Sequence, residues 1–287
     1  MQTILVLTDF SDAAFHAASY AGGLTLQFHS KTLILYHAYD VLLPVPGSAD
    51  VAQETSDVLH DESIEKLEAL HQQLDKFINP LTSVHCIAEP ADLSKSINEI
   101  TKDSNADMIV MGITGNAELA QILVGGHTIS VAEVSNVPLL IVPQEAAIAP
   151  VERVVLSCDM QDVSETVPIE PLKKILSELH TPLMVVNVKQ DDTINAETTE
   201  QKTALETLLS DNNASFHTVE NEDTIEGIMD FSLANRASLI IVLPKDHGFF
   251  NGLFHSSVTK KLAWHSSIPL LVLREHVQYP ALQAEPF

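Results

Sequence analysis

The feature that most constrains this chain is that its second half repeats its first. Thr3-Ile-Leu-Val-Leu-Thr8 is an apolar strand that ends at Asp9, and Arg153-Val-Val-Leu-Ser-Cys158 is an apolar strand that ends at Asp159. The next strands, Lys31 to Ala38 and Thr181 to Val188, follow at one interval: 23 residues separate Asp9 from Thr32, and 23 separate Asp159 from Pro182. After them the first half shows a long charged helix over about 52–77, a strand near 84–88, a helix over 91–103, a strand over 107–111, a glycine-rich segment, a helix up to about 134 and a strand over 138–142. The second half runs through the same order, with helices near 196–210, 224–235 and 256–265 and strands near 215–219, 238–243 and 269–273.

Strands alternating with helices require parallel pairing with helices on both faces of the sheet. The expected fold is therefore α/β: two tandem doubly wound domains, each an open, mostly parallel five-stranded sheet. The expected bounds are 1–146 and 151–275, with an irregular tail over 276–287 that contains Pro280 and Pro286. The offset between the repeats falls from 150 residues at the first strand to 131 at the last, where Pro138 answers Pro269. Most of the missing length belongs to the loop and long helix after the second strand.

Composition removes several functions. The 287 residues are 45% hydrophobic and 19% charged, which suits a globular chain with real cores. Apolar runs such as Ser238 to Leu243 are strand-sized, far short of the roughly 20 residues of a membrane span. The N-terminal stretch has no basic n-region and reaches Asp9 early, so a cytoplasmic protein is expected. Cys86 and Cys158 lack metal or redox spacing and are expected to be two buried thiols. A net charge of −24 opposes nucleic acid as a partner, because backbone binding relies on Lys and Arg.

The chemistry concentrates in Met111-Gly-Ile-Thr-Gly-Asn-Ala-Glu-Leu-Ala-Gln-Ile-Leu-Val-Gly-Gly-His-Thr128, which carries four of the ten glycines. Ligands of parallel sheets collect at the carboxyl ends of the strands. Asp9 ends the first strand, Ala38 to Asp40 end the second and Gly112 ends the fourth, so all three can line one crevice. Gly125-Gly-His-Thr128 is expected at a helix N-terminus, where free amides and the helix dipole favour phosphate. No Lys or Arg lies between Lys102 and Arg153, so a phosphate there would be met by amides, the Thr114 and Thr128 hydroxyls, His127 and a divalent cation.

Neither G-x-x-x-x-G-K-[ST] nor G-x-G-x-x-G occurs. What occurs is Gly112-x-x-Gly115, nine residues, then Gly125, with His127 and Thr128 beyond. This pattern resembles the universal stress protein family, whose ATP-binding members carry G-x-x-G, nine residues, then G and Ser or Thr. Thr8-Asp9-Phe10-Ser11, His37-Ala38-Tyr39-Asp40 and Asn136 to Val142 fit the same family, and the likeness extends over both repeats.

The resemblance implies a stress-response sensor or binding module that takes ATP or AMP, with or without Mg²⁺, in its N-terminal domain. Asp9 and the backbone at Ala38 would meet adenine and ribose, Met111, Gly112, Thr114 and Gly115 would lie against ribose and phosphates, and Gly125, Gly126, His127 and Thr128 would receive phosphate oxygens. It further implies a pseudo-dimer of the two domains within the chain, or a homodimer. The hydroxyl residue expected after the third glycine is Gly126 here, which removes one donor.

The second repeat places Leu243 where Gly112 stands, Asp246 at Gly115, and Ser256, Ser257 and Thr259 at Gly125, Gly126 and Thr128. Its site is therefore expected to be degenerate, although Lys245, Lys260 and Lys261 lie nearby. Since this copy keeps strand and helix without the glycines, the fold is not expected to require them, and a ligand is the expected reason for Gly112, Gly115 and Gly125. Pro168 and Pro171 predict a late start for the helix after Asp159. His247 and His255 flank an apolar loop but lack a ligand set, so no metal site is expected. No G-x-S-x-G supports a hydrolase, and the Arg-free first half lacks an obvious clamp for phosphoryl transfer, so no enzyme is expected. The contrasting classes are a nucleotide-free protein that acts through partners and an enzyme that hydrolyses ATP slowly.

Overall fold

The computed structural model describes residues 1–40, 49–113, 130–132, 134–189, 196–243 and 267–274. The chain divides into two compact units, one of Met1–Ser135 with Leu140–Ala149, the other of Asn136–Leu139 with Pro150–Phe287.

The first unit runs β1 (Thr3–Leu7), α1 (Asp12–Phe28), β2 (Thr32–Tyr39), α2 (Ala49–Leu74), β3 (Ser83–Pro90), α3 (Leu93–Asp103), β4 (Met108–Ile113) and β5 (Leu139–Pro143). Its strand order is β3-β2-β1-β4-β5, with β1 parallel to β2 and β4, and β2 parallel to β3. β1 and β4 sit inside the sheet, and Ile4, Leu5, Val6, Ile109 and Val110 have no exposed surface. Such runs are apolar on both faces because helices cover both.

Helix α1 starts where Ser11 caps it, its side chain accepting from the Ala14 amide, and ends at His29 in the left-handed region. Its buried set is mostly small, Ala13, Ala14, Ala17, Ala18, Ala21 and Gly22 among it, which lets the helix lie close on the sheet. Asp107 closes the lower end of the unit: its carboxylate accepts from the amides of Gln2 (2.6 Å) and Thr3 (3.0 Å).

The second unit runs β6 (Val154–Ser157), α4 (Val163–Thr166), α5 (Ile169–Leu179), β7 (Leu183–Lys189), α6 (Ala196–Leu208), β8 (Ala214–Glu220), α7 (Thr224–Ala234), β9 (Leu239–Val242) and β10 (Leu270–Val272). Its strand order is β10-β9-β6-β7-β8, with parallel pairs throughout.

Sheet register makes the duplication exact at the residue level. Ile4 pairs with Leu33 and Met108, and Val154 pairs with Leu183 and Leu239, so Gly112 and Leu243 are structural equivalents. Leu33 pairs with Val84 and Leu183 with Ala214, so the offset drops between the second and third strands, where α2 has 26 residues and α6 has 13. Helix caps repeat as well: Asp92 caps α3 and Asp223 caps α7.

The expected late helix start after Asp159 takes the form of a break. The single turn α4 ends at Thr166, Val167 is extended (φ −94°, ψ 115°), and α5 begins after Pro168. Proline's ring pushes the residue before it out of the helical region, which accounts for the break. The expected loop at 41–48, the helix over 256–265 and the tail over 276–287 lie outside the described residues. Among the described residues no helix is long and apolar enough to cross a membrane.

Candidate functional site

A cavity of about 170 Å³ opens at the carboxyl ends of β1, β2 and β4. Asp9, Ala38, Asp40 and Gly112 line it, as their strand-end positions predict, and so does Met111. Tyr36, Ala91 and Leu93 line it too. Tyr36 could have been found from the two-residue period that sets it on the same face as Ala38. Ala91 and Leu93 enter through the β3–α3 connection, which no local motif marks. Thr114, Gly115, Gly125, Gly126, His127 and Thr128 lie outside the described residues, as do Asp246, Ser256, Ser257, Thr259, Lys245, Lys260, Lys261, His247 and His255 in the second repeat.

The turn that presents Asp9 is built from local hydrogen bonds. The Ser11 amide donates to Asp9 Oδ1 at 3.0 Å and the Phe10 amide to Thr8 Oγ1 at 3.0 Å, while Phe10 takes a left-handed φ of 64°. His37 Nδ1 donates to the Thr8 carbonyl at 2.7 Å, and its ring lies 4.5 Å from that of Phe10. The second unit repeats this turn. The Gln161 amide donates to Asp159 Oδ1 at 3.2 Å, Met160 has φ 56°, and Asn187 Nδ2 donates to the Cys158 carbonyl at 3.0 Å. His37 and Asn187 occupy equivalent register positions, so both side chains supply one N–H to the same carbonyl of the fold. Asp9 therefore carries a structural duty that its twin also carries, beside any duty to a ligand.

The two crevices differ in size. The equivalent cavity in the second unit is about 40 Å³ and is lined by Asp159, Val188 and Leu243, where the first has Asp9, Ala38 and Gly112. Gly227 lets α7 close on Val188: a β-carbon there would stand 2.8 Å from Val188 Cγ1. Two added side chains and a closer helix thus fill the space that the first unit leaves open.

Gly112 requires a correction. A β-carbon on it would overlap the carbonyl group of Ala13 and stand 2.9 Å from the Ala14 amide nitrogen. The first unit's fold therefore demands glycine at this position with no ligand involved. The second unit carries Leu243 there under a differently built helix, a single turn α4 separated from α5 at Val167, so the absence of glycine in one repeat does not show that the other repeat can spare it.

The charge around the crevice is acidic, with Asp9 and Asp40 on its walls. Tyr36, almost wholly buried, donates its hydroxyl to Glu89 Oε2 at 3.1 Å. Burial and the Glu89 carboxylate push the Tyr36 hydroxyl well above the ordinary phenol range, so it stays a donor. Cys158 is buried as expected, whereas Cys86 is only half-buried on β3. A larger hollow of about 750 Å³ lies at the amino ends of β7 and β8, beside Lys173, Lys174, His180 and Asp211, the end of the sheet where parallel folds do not place their ligands.

The family model of the universal stress protein family matches residues 1–143 and 176–274. Universal stress protein MJ0531 of Methanocaldococcus jannaschii is 29% identical over 143 residues, covering 48% of this chain and 80% of its own. The crystal structure of a universal stress protein from Archaeoglobus fulgidus covers 95% of this chain and 96% of its own at a TM-score of 0.65 and 17% identity. A universal stress protein solved in complex with cAMP is 26% identical, covering 49% of this chain and 96% of its own, with a TM-score of 0.37. The family match spans both repeats and most of the chain, which therefore belongs to the universal stress protein family.

Proposed function

We propose that this universal stress protein binds one adenine nucleotide, ATP or AMP with or without Mg²⁺, in its N-terminal repeat and acts as a cytoplasmic stress-response sensor rather than as an enzyme. The observation that carries the reading is the contrast between the two crevices: about 170 Å³ beside Gly112 and about 40 Å³ beside Leu243. Domains 1–146 and 151–275 would then divide the work, the first holding nucleotide and the second, with its degenerate site, completing a pseudo-dimer. Asp9 and Ala38 would take the nucleoside, with Met111, Gly112, Thr114 and Gly115 against ribose and phosphates. Gly125, Gly126, His127 and Thr128 would receive phosphate oxygens through amides and hydroxyls.

A second reading rests on the steric account of Gly112, which needs no ligand. On it, the chain acts through protein partners, as a pseudo-dimer or homodimer, without nucleotide. Calorimetric titration with ATP and AMP, with and without Mg²⁺, on the wild type and on Gly115→Leu separates the two. Binding that the substitution abolishes supports the first reading; no heat with any adenine nucleotide supports the second. Phosphate release at an appreciable rate would contradict the absence of catalysis.

A further inference from the structure

We propose that Glu89 selects the base, favouring a purine with a 6-amino group over one with a 6-oxo group. The inference rests on the nucleotide reading above and deepens it.

Tyr36 and Ala38 both line the crevice from β2. Glu89 is the register partner of Ala38 on β3, so its side chain rises on the same face, and Tyr36 donates to its Oε2. The second unit carries Val186, Val188 and Val219 at the three equivalent positions. A polar pair, Tyr36 on the crevice wall and Glu89 beside it, thus stands in the first unit where valines stand in the second.

The Tyr36 hydroxyl alone does not explain the acid. Glu89 is exposed, and a neutral acceptor such as a glutamine amide oxygen would satisfy the buried hydroxyl as well. A carboxylate here instead adds to the charge of Asp9 and Asp40 in a chain of net charge −24. An ionised carboxylate only accepts hydrogen bonds. Phosphates are repelled from this end of the crevice, while a group with N–H donors is drawn in. With the nucleoside against Ala38, the carboxylate held by Tyr36 accepts from an exocyclic amine and repels a carbonyl oxygen in its place.

The test uses the full chain titrated with AMP and with IMP, ligands that differ by amine against carbonyl at one ring position. Wild type should prefer AMP by about tenfold or more, since a site built to pair a donor rejects the analogue lacking it. Glu89→Gln, whose amide can turn a donor toward the carbonyl, should bring the ratio near unity. Tyr36→Phe, which frees the carboxylate from its anchor, should lower the ratio partway, whereas a merely structural role would weaken both ligands alike. An unchanged ratio in Glu89→Gln, with AMP still bound, overturns the inference. Failure of the wild type to bind AMP or ATP overturns the nucleotide reading itself.

Discussion

Gly112 on β4 packs directly under the carbonyl group of Ala13 in the first turn of α1, so closely that no β-carbon fits between them. This contact sets how near the helix N-terminus stands to the end of β4, and hence the shape of the crevice that both line. Gly112→Ala should therefore destabilise the first unit by about 1–3 kcal/mol through overpacking. Urea unfolding checks this; a midpoint equal to wild type would show that α1 can move aside freely.

The opposite expectation holds for the twin. Leu243 is buried where Gly112 stands, with Asp159 and Val188 around it. Leu243→Ala should cost about 2–5 kcal/mol as a cavity mutation. It should leave nucleotide affinity unchanged, as calorimetry on the folded variant would read. A second nucleotide bound per chain would mean that Leu243 alone had closed the site.

His37 and Asn187 give a paired test of the turn. Each donates one N–H to the carbonyl that precedes the strand-end Asp, at 2.7 Å and 3.0 Å. His37→Asn should be nearly neutral in thermal stability, whereas Asn187→Leu, which leaves a buried carbonyl without that donor, should cost about 1–3 kcal/mol. Equal losses from both would deny their equivalence.

At the start of α3, Asp92 is hydrogen-bonded by Lys95 and then by Ser94, which holds its carboxyl at about 2. A folded value below the unfolded one of about 3.9 means that the stabilisation is present above roughly pH 4 and fades as pH falls toward 2. Carboxyl carbon shifts in an NMR titration should give a midpoint near 2 for Asp92. Lys95→Met should move it upward, and an unmoved midpoint would deny the pairing.

These cases also show what the sequence could reveal. The duplication, the parallel sheets and the strand-end positions of Asp9, Ala38 and Gly112 follow from hydrophobic period and from the 23-residue spacing, because those signals are local. The reason for Gly112 is not local: Ala13, nearly a hundred residues away, supplies it, and only packing reveals the contact. The Tyr36–Glu89 pair is hidden for the same reason, since it depends on the register of β2 against β3 across the whole of α2. Pro168 is legible as a late helix start but not as a break between two helical pieces, because the turn that forms ahead of it carries no strong local signal.

Hydrogen exchange of the full chain with and without AMP tests the central claim most directly, because the second repeat serves as a control within the same molecule. Amides at 9–11, 38–40 and 112–115 should gain protection on binding, while their counterparts at 159–161, 188–189 and 243 should not change. Equal protection in both repeats, or none in either, would contradict an adenine nucleotide held by the first repeat alone.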